Sequence, residues 1–266
     1  MRRLVAASLI ALALAATACG KGGSNQGLAR LDQTGFISQA AARSVEQRTA
    51  RIEITQYLSA PISAGGESIS LTANGEIDMV KKVMDLNMYV PAEMGFRGVL
   101  QMVLAGNTVY TRVPEPLRKT AGLSKPWLGM KIGKLASSPL NGGNLTDPSS
   151  ILAALSEVAS NVTKTGDAMV RGVHTTKYEV TLDIKKLASS APAFERDAIS
   201  QLKFDHMNVY VGDDNLVRRE EFTVTVGGGS DNTLIDIFDY GAPVRVTVPP
   251  RSQVEFKSAQ DLMSGK

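Results

Sequence analysis

The residues that could perform catalysis are few and are not grouped. Only two histidines occur, His174 and His206, and neither stands at metal-ligand spacing from a cysteine or from the other histidine. Glu220 and Glu221 are adjacent carboxylates, but adjacent residues of a strand point to opposite faces, which does not suit joint acid–base chemistry. The glycine run at 227–229 lacks the Lys-Ser/Thr that follows in a phosphate-binding loop and is interpreted as a turn. We therefore expect no enzyme, no metal site and no cofactor.

Cys19 is the only cysteine, and its surroundings predict a lipid anchor. Residues 1–18 combine two N-terminal arginines, an apolar run and small residues, as in a secretory signal. The segment Ala16-Thr17-Ala18-Cys19 resembles the lipobox of bacterial lipoproteins, although leucine is usual at the position of Ala16. The alternative is an ordinary signal peptide cleaved after Ala18. We expect lipid attachment at Cys19 and a location at the outer face of the cytoplasmic membrane.

Cysteine content, hydropathy and charge exclude several classes of protein. One cysteine cannot form an internal disulfide, so an exported domain must be held together by its core. The apolar run of the signal is too short to span a bilayer, and charged or polar residues interrupt every later apolar stretch. The net charge is +3, from 29 basic and 26 acidic residues, and falls to 27 − 26 = +1 without Arg2 and Arg3. Nothing in this balance indicates a nucleic-acid partner.

The periodicity of the first third predicts a tether, a helix and then strands. We expect residues 19–33 to form the lipidated cysteine and a flexible tether, because 20–27 are glycine and small polar residues. Apolar residues at helical spacing, from Phe36 to Val45, predict an amphipathic helix over 34–50. Alternating residues then predict strands over 68–79 and 84–90, followed by a hairpin whose turn is 105–108. These strands would form an antiparallel meander.

A second helix is expected in the middle of the chain. After a segment at 114–144 that is dense in Pro, Gly and Ser, Asp147 is a candidate N-cap and Pro148 a suitable first helical residue. Gly166 would stand past the helix end. The apolar stripe of this helix comprises Ile151, Leu152, Leu155, Val158, Ala159 and Val162.

The remaining sequence predicts a second group of strands. They cover 173–184, 207–211, 217–226, 234–240 and 244–248, with a short helix at 192–202 and turns at 212–215 and 227–232. The fold class is therefore α+β. We expect residues 34–266 to form one domain, a single strongly curved antiparallel β-sheet with helices packed on its concave face.

Several segments together resemble a known family. They are the lipobox, the first amphipathic helix, the meander, the Pro126-Trp127 segment, the helix at Asp147, the strand 172–183, the strand 216–220 and the closing segment 239–249. In this order they are similar to the actinobacterial lipoproteins of the LppX/LprG type, within the wider LolA-like group. The resemblance covers nearly all of the mature chain.

The resemblance implies a half-barrel around an apolar cavity that holds acyl chains and moves lipids or lipoglycans across the envelope. The candidate lining residues are Ile69, Leu71, Ile77, Met84, Leu86, Met88, Leu100, Met102, Leu104, Val180, Leu182, Ile151, Leu155 and Val158. A solid core would bury the same residues, so alternation does not separate it from a cavity. The alternative function is an envelope sensor or accessory subunit that regulates a membrane partner without transporting lipid.

The expected partners follow from the same resemblance. They are a membrane lipid or lipoglycan as cargo, the membrane itself through Cys19, and an envelope transporter as a candidate acceptor, with the protein acting as a monomer. Four methionines, Met79, Met84, Met88 and Met102, fall on apolar strand faces, where they can fill a core or adapt to a variable ligand. A thioether copper site would favour Met-x-x-Met clusters, which are missing. The identity of the lipid is not encoded in any recognisable motif.

Overall fold

The structure is a computed structural model that describes residues 26–59, 68–92, 97–106, 108–120, 122–131, 159–183, 185, 206–226 and 229–257. Within these residues lie one long helix, α1 (Gln26–Glu46), a short α-helix, α2 (Glu115–Thr120), and a twelve-stranded sheet. The strands are β1 (Thr49–Ser59), β2 (Ser68–Asp78), β3 (Val83–Val90), β4 (Gly98–Ala105), β5 (Thr108–Arg112), β6 (Trp127–Lys131), β7 (Ala159–Val170), β8 (Val173–Leu182), β9 (His206–Gly212), β10 (Val217–Val226), β11 (Gly229–Phe238) and β12 (Val254–Phe256).

The sheet is curved and open, with the order β12-β6-β5-β4-β3-β2-β1-β11-β10-β9-β8-β7. Every neighbouring pair is antiparallel except β12 and β6, which run parallel. The expected meander is confirmed, because β2 to β5 pair in sequence order. Edges β12 and β7 do not pair with each other, so the sheet does not close.

The register separates side chains into an apolar face and a polar face. Residues directly opposite each other across a sheet share a face. One such row on the apolar face reads Val209, Glu220, Ile235, Ile54, Ala73, Met88 and Leu100 across β9 to β4. The neighbouring row on the polar face reads Arg219, Asp236, Glu53, Asn74, Asn87, Gln101 and Arg112. The alternation predicted for 68–79 and 84–90 therefore corresponds to a division of β2 and β3 between two surfaces.

Helix α1 begins and ends earlier than its predicted span of 34–50. It starts at Gln26, so the expected tether of 19–33 is helical from residue 26 onward. The leucine, alanine and arginine residues at 28–31 have high helix propensity. This propensity favours a helix in this segment although its amphipathic pattern is weak. The helix ends at Glu46, because Arg48 takes a left-handed conformation with φ of 72° and Thr49 already begins β1.

One face of α1 packs on the apolar face of the sheet. Ile37, Ala40 and Ala41 are buried in one cluster with residues of β7 to β10, including Val162 and Met207. The two alanines leave space for the strand side chains to approach the helix backbone. Further helices over the concave side, as expected from the sequence, stay a prediction.

The second predicted helix is wrong in its C-terminal part. Residues 159–166 belong to strand β7, where Val162 pairs with Val180 of β8 and Gly166 lies at a register shift inside the strand. Valine and threonines in this segment favour a strand, and pairing with β8 outweighs the helical spacing of the apolar residues. Residues 147–158, including Ile151, Leu155 and Val158, and the helix expected at 192–202 lie outside the described residues.

Three further differences concern strands. Strand β1, which joins the two halves of the sheet, was not predicted, nor were β6 and β12. The strand expected at 244–248 is wrong, because these residues pair with no strand and prolines follow at 249 and 250. Strand β11 begins at Gly229, so the turn before it is shorter than the predicted 227–232.

None of the helices in the described part of the chain has the length and apolarity needed to cross a membrane.

Gly75 is required where β2 and β3 approach each other most closely. A Cβ at this position would lie 1.8 Å from the Asp85 carbonyl oxygen. We expect Gly75→Ala to lower the free energy of unfolding by at least about 2 kcal/mol, measured by urea denaturation, because the strands must separate.

The matched control is Gly35→Ala. Gly35 lies exposed on α1, with nothing within 4 Å of the Cβ position. Alanine there should raise stability by about 0.5 to 1 kcal/mol through helix propensity. Equal effects of the two substitutions would contradict the close approach of β2 and β3.

Candidate functional site

The apolar face carries two buried clusters. The helix-side cluster comprises Ile37, Ala40, Ala41, Val162, Val180, Met207, Val209, Val211 and Val217, from α1 and β7 to β10. The sheet cluster comprises Ala50, Ile52, Ile54, Ala73, Ile77, Met79, Met84, Leu86, Leu104, Ile235 and Ile237, from β1 to β4 and β11 with the adjoining turn. Phe222 of β10 packs against both clusters and joins them.

The described candidate lining residues lie on this one face. Leu71, Ile77, Met84, Leu86, Leu104 and Val180 are buried, whereas Ile69, Met88, Leu100 and Met102 are partly exposed. Leu182 lies at the end of β8, and its side chain is outside the description. Met88, Leu100 and Met102 are neighbours on β3 and β4, and Ile69 lies near the start of β2, so the apolar side chains from β2 to β4 are less covered here than in the buried clusters.

Sequence reasoning omitted apolar residues that the sheet brings to the same face. Ile52 and Ile54 belong to the unpredicted strand β1, and Ile235 and Ile237 pair beside them on β11. The signal was available, because apolar residues alternate with polar ones from Ala50 to Thr55. The apolar face consequently extends from β7 to β5.

Glu220 interrupts this apolar face. Its side chain is only 1% exposed and lies between Val209 on β9 and Ile235 on β11, at the boundary of the two clusters. Neither carboxyl oxygen has a hydrogen-bond partner within the described structure. Glu221, the next residue, points to the polar face and accepts a hydrogen bond of 2.7 Å from the Tyr210 hydroxyl. The prediction that Glu220 and Glu221 point to opposite faces of the sheet is confirmed.

The alternation of β10 is the signal by which Glu220 could have been found. Phe222 and Val224 lie on the apolar face, two residues apart. Because side chains alternate along a strand, Glu220, two residues before Phe222, lies on the same face. Burial without a partner raises the pKa of Glu220 to about 8. The carboxyl is therefore mainly protonated at neutral pH and carries one hydrogen-bond donor.

A small polar group lies beside Glu220 on the same face. The Thr233 hydroxyl donates a hydrogen bond of 2.9 Å to Asp231, and the Gln56 amide nitrogen lies 3.4 Å from both Thr233 Oγ1 and an Asp231 carboxylate oxygen. Thr233 pairs with Phe222, the apolar-face residue next to Glu220 along β10. Glu220, Thr233, Gln56 and Asp231 share the apolar face on the neighbouring strands β10, β11 and β1, and we call these four residues the polar strip.

Polar contacts also fasten α1 to β10 near Glu220. The Ser44 hydroxyl donates to the Ala40 carbonyl oxygen at 2.8 Å and accepts from the Val217 backbone N–H at 3.0 Å. The Tyr240 hydroxyl donates to the Val217 carbonyl oxygen. Burial raises the pKa of Tyr240 well above its usual range, so this hydroxyl remains a donor. The C-terminal part of α1 is thus held at the strand that carries Glu220.

The polar face is a network of charged side chains. Arg219 contacts both Asp236 carboxylate oxygens, at 2.5 and 2.9 Å, and this pairing raises the pKa of Arg219. Arg171 lies 3.3 Å from the Glu53 carboxylate and 3.9 Å from the centre of the Phe238 ring. Arg219 thus links β10 to β11, and Arg171, in the turn between β7 and β8, links that turn to β1 and β11. These contacts lie on the face opposite Glu220.

The two histidines lie at opposite ends of the β8–β9 pair. His174 lies exposed, with Nδ1 3.3 Å from a carboxylate oxygen of exposed Asp213, and His206 is exposed at the start of β9. Among the described residues, no three His, Cys, Asp or Glu side chains stand close enough to hold a metal ion.

Comparison with known proteins places the chain by its fold. No family model matches the sequence, and no curated protein matches it. The Mycobacterium tuberculosis lipoprotein LppX matches in structure with a TM-score of 0.51 and 14% identity, over 84% of this chain and 100% of that one. LprF from Mycobacterium bovis matches with a TM-score of 0.45 and 14% identity, over 82% and 97% of the two chains.

The LppX comparison shows a shared fold and, at this identity, no more. The resemblance to lipoproteins of the LppX/LprG type is thereby confirmed at the level of structure. The Pseudomonas aeruginosa MucA/MucB complex also matches, at 11% identity over 84% of this chain and 60% of that one, but its TM-score of 0.36 is too low to argue from.

The burial of Glu220 predicts a pH-dependent stability. The folded-state pKa of about 8 lies above the ordinary value of 4.5, so between these pH values the unfolded chain loses a proton that the folded chain keeps. The associated stability is complete below pH 4.5 and is lost as the pH rises through 8, by up to about 5 kcal/mol. Glu220→Gln should flatten the dependence of the melting temperature on pH between 5 and 8.

The control for this measurement is Glu221→Gln, on the polar face of the same strand. It should retain the wild-type slope. An equal loss of slope in both variants would show that burial of Glu220 is not the cause.

Proposed function

We propose that this protein is a non-enzymatic lipoprotein of the cell envelope that binds lipid acyl chains on its apolar face and transfers lipids or lipoglycans. The observation that carries the proposal is the extent of that face, which runs from β7 to β5 across an open sheet. Beside its buried clusters it has partly exposed Ile69, Met88, Leu100 and Met102. These side chains are apolar, and the methionines can adapt to chains of different shape.

Energetics favour a passive carrier. Burying apolar surface contributes roughly 0.8 kcal/mol per methylene, so a chain of about sixteen carbons gains on the order of 12 kcal/mol relative to water. Relative to a bilayer the gain is near zero, because both surroundings are apolar. Exchange at a membrane therefore requires an opening of the protein and no coupled energy source.

An anchor at Cys19 would determine where exchange occurs. Since α1 begins at Gln26, six residues separate it from Cys19, and a flexible chain of that length spans roughly 13 Å. The domain would load or deliver at the surface of one bilayer and pass cargo to a partner in the envelope. Intact mass measurement of the membrane-extracted chain should show a diacylglyceryl adduct that Cys19→Ser lacks; an unmodified Cys19 would contradict the anchor.

The proposed function is tested by native mass spectrometry of the Cys19-less protein purified from an envelope-rich host, followed by organic extraction. We expect bound lipid in the native spectrum and in the extract. Absence of lipid, together with failure to bind fluorescent acyl probes, would contradict the proposal. It would favour a sensor or accessory subunit with a solid core.

A matched pair of variants locates the binding surface. Met88→Trp adds bulk to the partly exposed part of the apolar face, whereas Asn87→Trp adds the same bulk on the polar face of the same strand. We expect at least a fivefold loss of bound lipid in Met88→Trp alone, with both variants folded by circular dichroism. Equal lipid content in both would place the cargo elsewhere.

A further inference from the structure

Glu220 is the one fully buried carboxylate of the described apolar face, and no described residue pairs with it. It forms no ion pair or hydrogen bond there, whereas Asp236 on the polar face is held by Arg219. A buried polar group without a partner typically costs about 1 to 3 kcal/mol. An apolar residue of the same size would fit between Val209 and Ile235 without this cost, so stability does not explain a carboxyl here.

The position of Glu220 fits a role in recognising cargo. It lies where the helix-side cluster meets the sheet cluster, so an acyl chain that lies over one cluster and ends at this boundary would bring its polar end to the Glu220 carboxyl. In a lipid, the group at the end of an acyl chain is the ester carbonyl. That oxygen is an uncharged acceptor, and it suits a protonated carboxyl, which has a hydrogen to donate.

We propose that Glu220 binds the polar end of the cargo, its carboxyl forming a hydrogen bond to an ester carbonyl oxygen of an acyl lipid. This inference rests on the proposed function and adds the chemical class of the cargo. The polar strip supports it, because Thr233 and Gln56 offer further polar atoms beside Glu220 for the glycerol region. The Asp231 carboxylate in that strip would disfavour an anionic group in the same place.

The test is a competition between two lipids that differ only in the ester carbonyls. The full chain is incubated with vesicles of diether phosphatidylcholine that contain equal amounts of 1,2-dipalmitoylglycerol and 1,2-di-O-hexadecylglycerol. The protein is recovered, its lipid is extracted, and the ratio of ester to ether glyceride is measured by mass spectrometry. Wild type should enrich the ester glyceride over the ether glyceride about five- to tenfold, because one additional hydrogen bond in a buried site changes the relative affinity by about that factor.

The variants assign the preference to one side chain. Glu220→Met should bring the ratio close to one and should fold, because it removes an unpartnered polar group; Glu220→Leu is a second apolar variant. Glu220→Gln keeps a donor and should retain most of the enrichment. Glu221→Met, on the polar face, should behave as wild type.

Three outcomes would overturn the inference, and they are distinguishable. If wild type captures both glycerides with a ratio near one, or if Glu220→Met enriches the ester as strongly as wild type, Glu220 does not recognise the ester while lipid binding stands. If wild type captures no lipid from the vesicles, the proposed function fails and this inference fails with it.

Discussion

The regular strand register from β10 through β11 and β1 to β4 is the constraint on which the rest of the structure depends. Because side chains alternate along β1, β2 and β11, one register places the row through Ile235, Ile54 and Ala73 on the apolar face and the row through Asp236 and Glu53 on the other. A shift by one residue in any central strand would carry charged groups into the apolar clusters and isoleucines to the charged surface. Ion pairs on one face and apolar packing on the other therefore stabilise the same register.

Glu220 follows the regular strand register, yet it places a carboxyl on the face where the register otherwise gathers apolar side chains. Natural proteins keep polar groups in apolar surroundings mainly where a partner or a function accounts for them. The surrounding contacts, from Ser44 and Tyr240 to Val217, fix α1 and β10 close to Glu220 without satisfying its carboxyl. The strand that links the two apolar clusters thus also presents the polar group best placed to discriminate between ligands.

Local patterns predicted some elements well and failed where pairing between distant segments decides. The meander β2 to β5 was predictable, because its alternation and turns are local. Strand β1 is not evident from the sequence, because α1 ends beside a left-handed Arg48 and not beside a glycine, which would have marked the helix end. The helical pattern therefore predicts a helix as far as Ala50. Strand β7 was mistaken for helix, because Val158, Ala159 and Val162 fit a helical period and only pairing with β8 overrides it. The apolar face was predictable in type, but the burial of Glu220 depends on β9 and β11.

The claim that acyl chains lie on the apolar face is tested most directly by methyl NMR with a spin-labelled lipid. Ile52, Ile54 and Ile235 report on the apolar face, and Val99, exposed on the polar face, is the reference. With a phosphatidylcholine that carries a nitroxide on its acyl chain, we expect strong broadening of the isoleucine methyl signals and little change at Val99. Equal broadening on both faces, or none on the apolar face, would contradict a lipid-binding function for this surface.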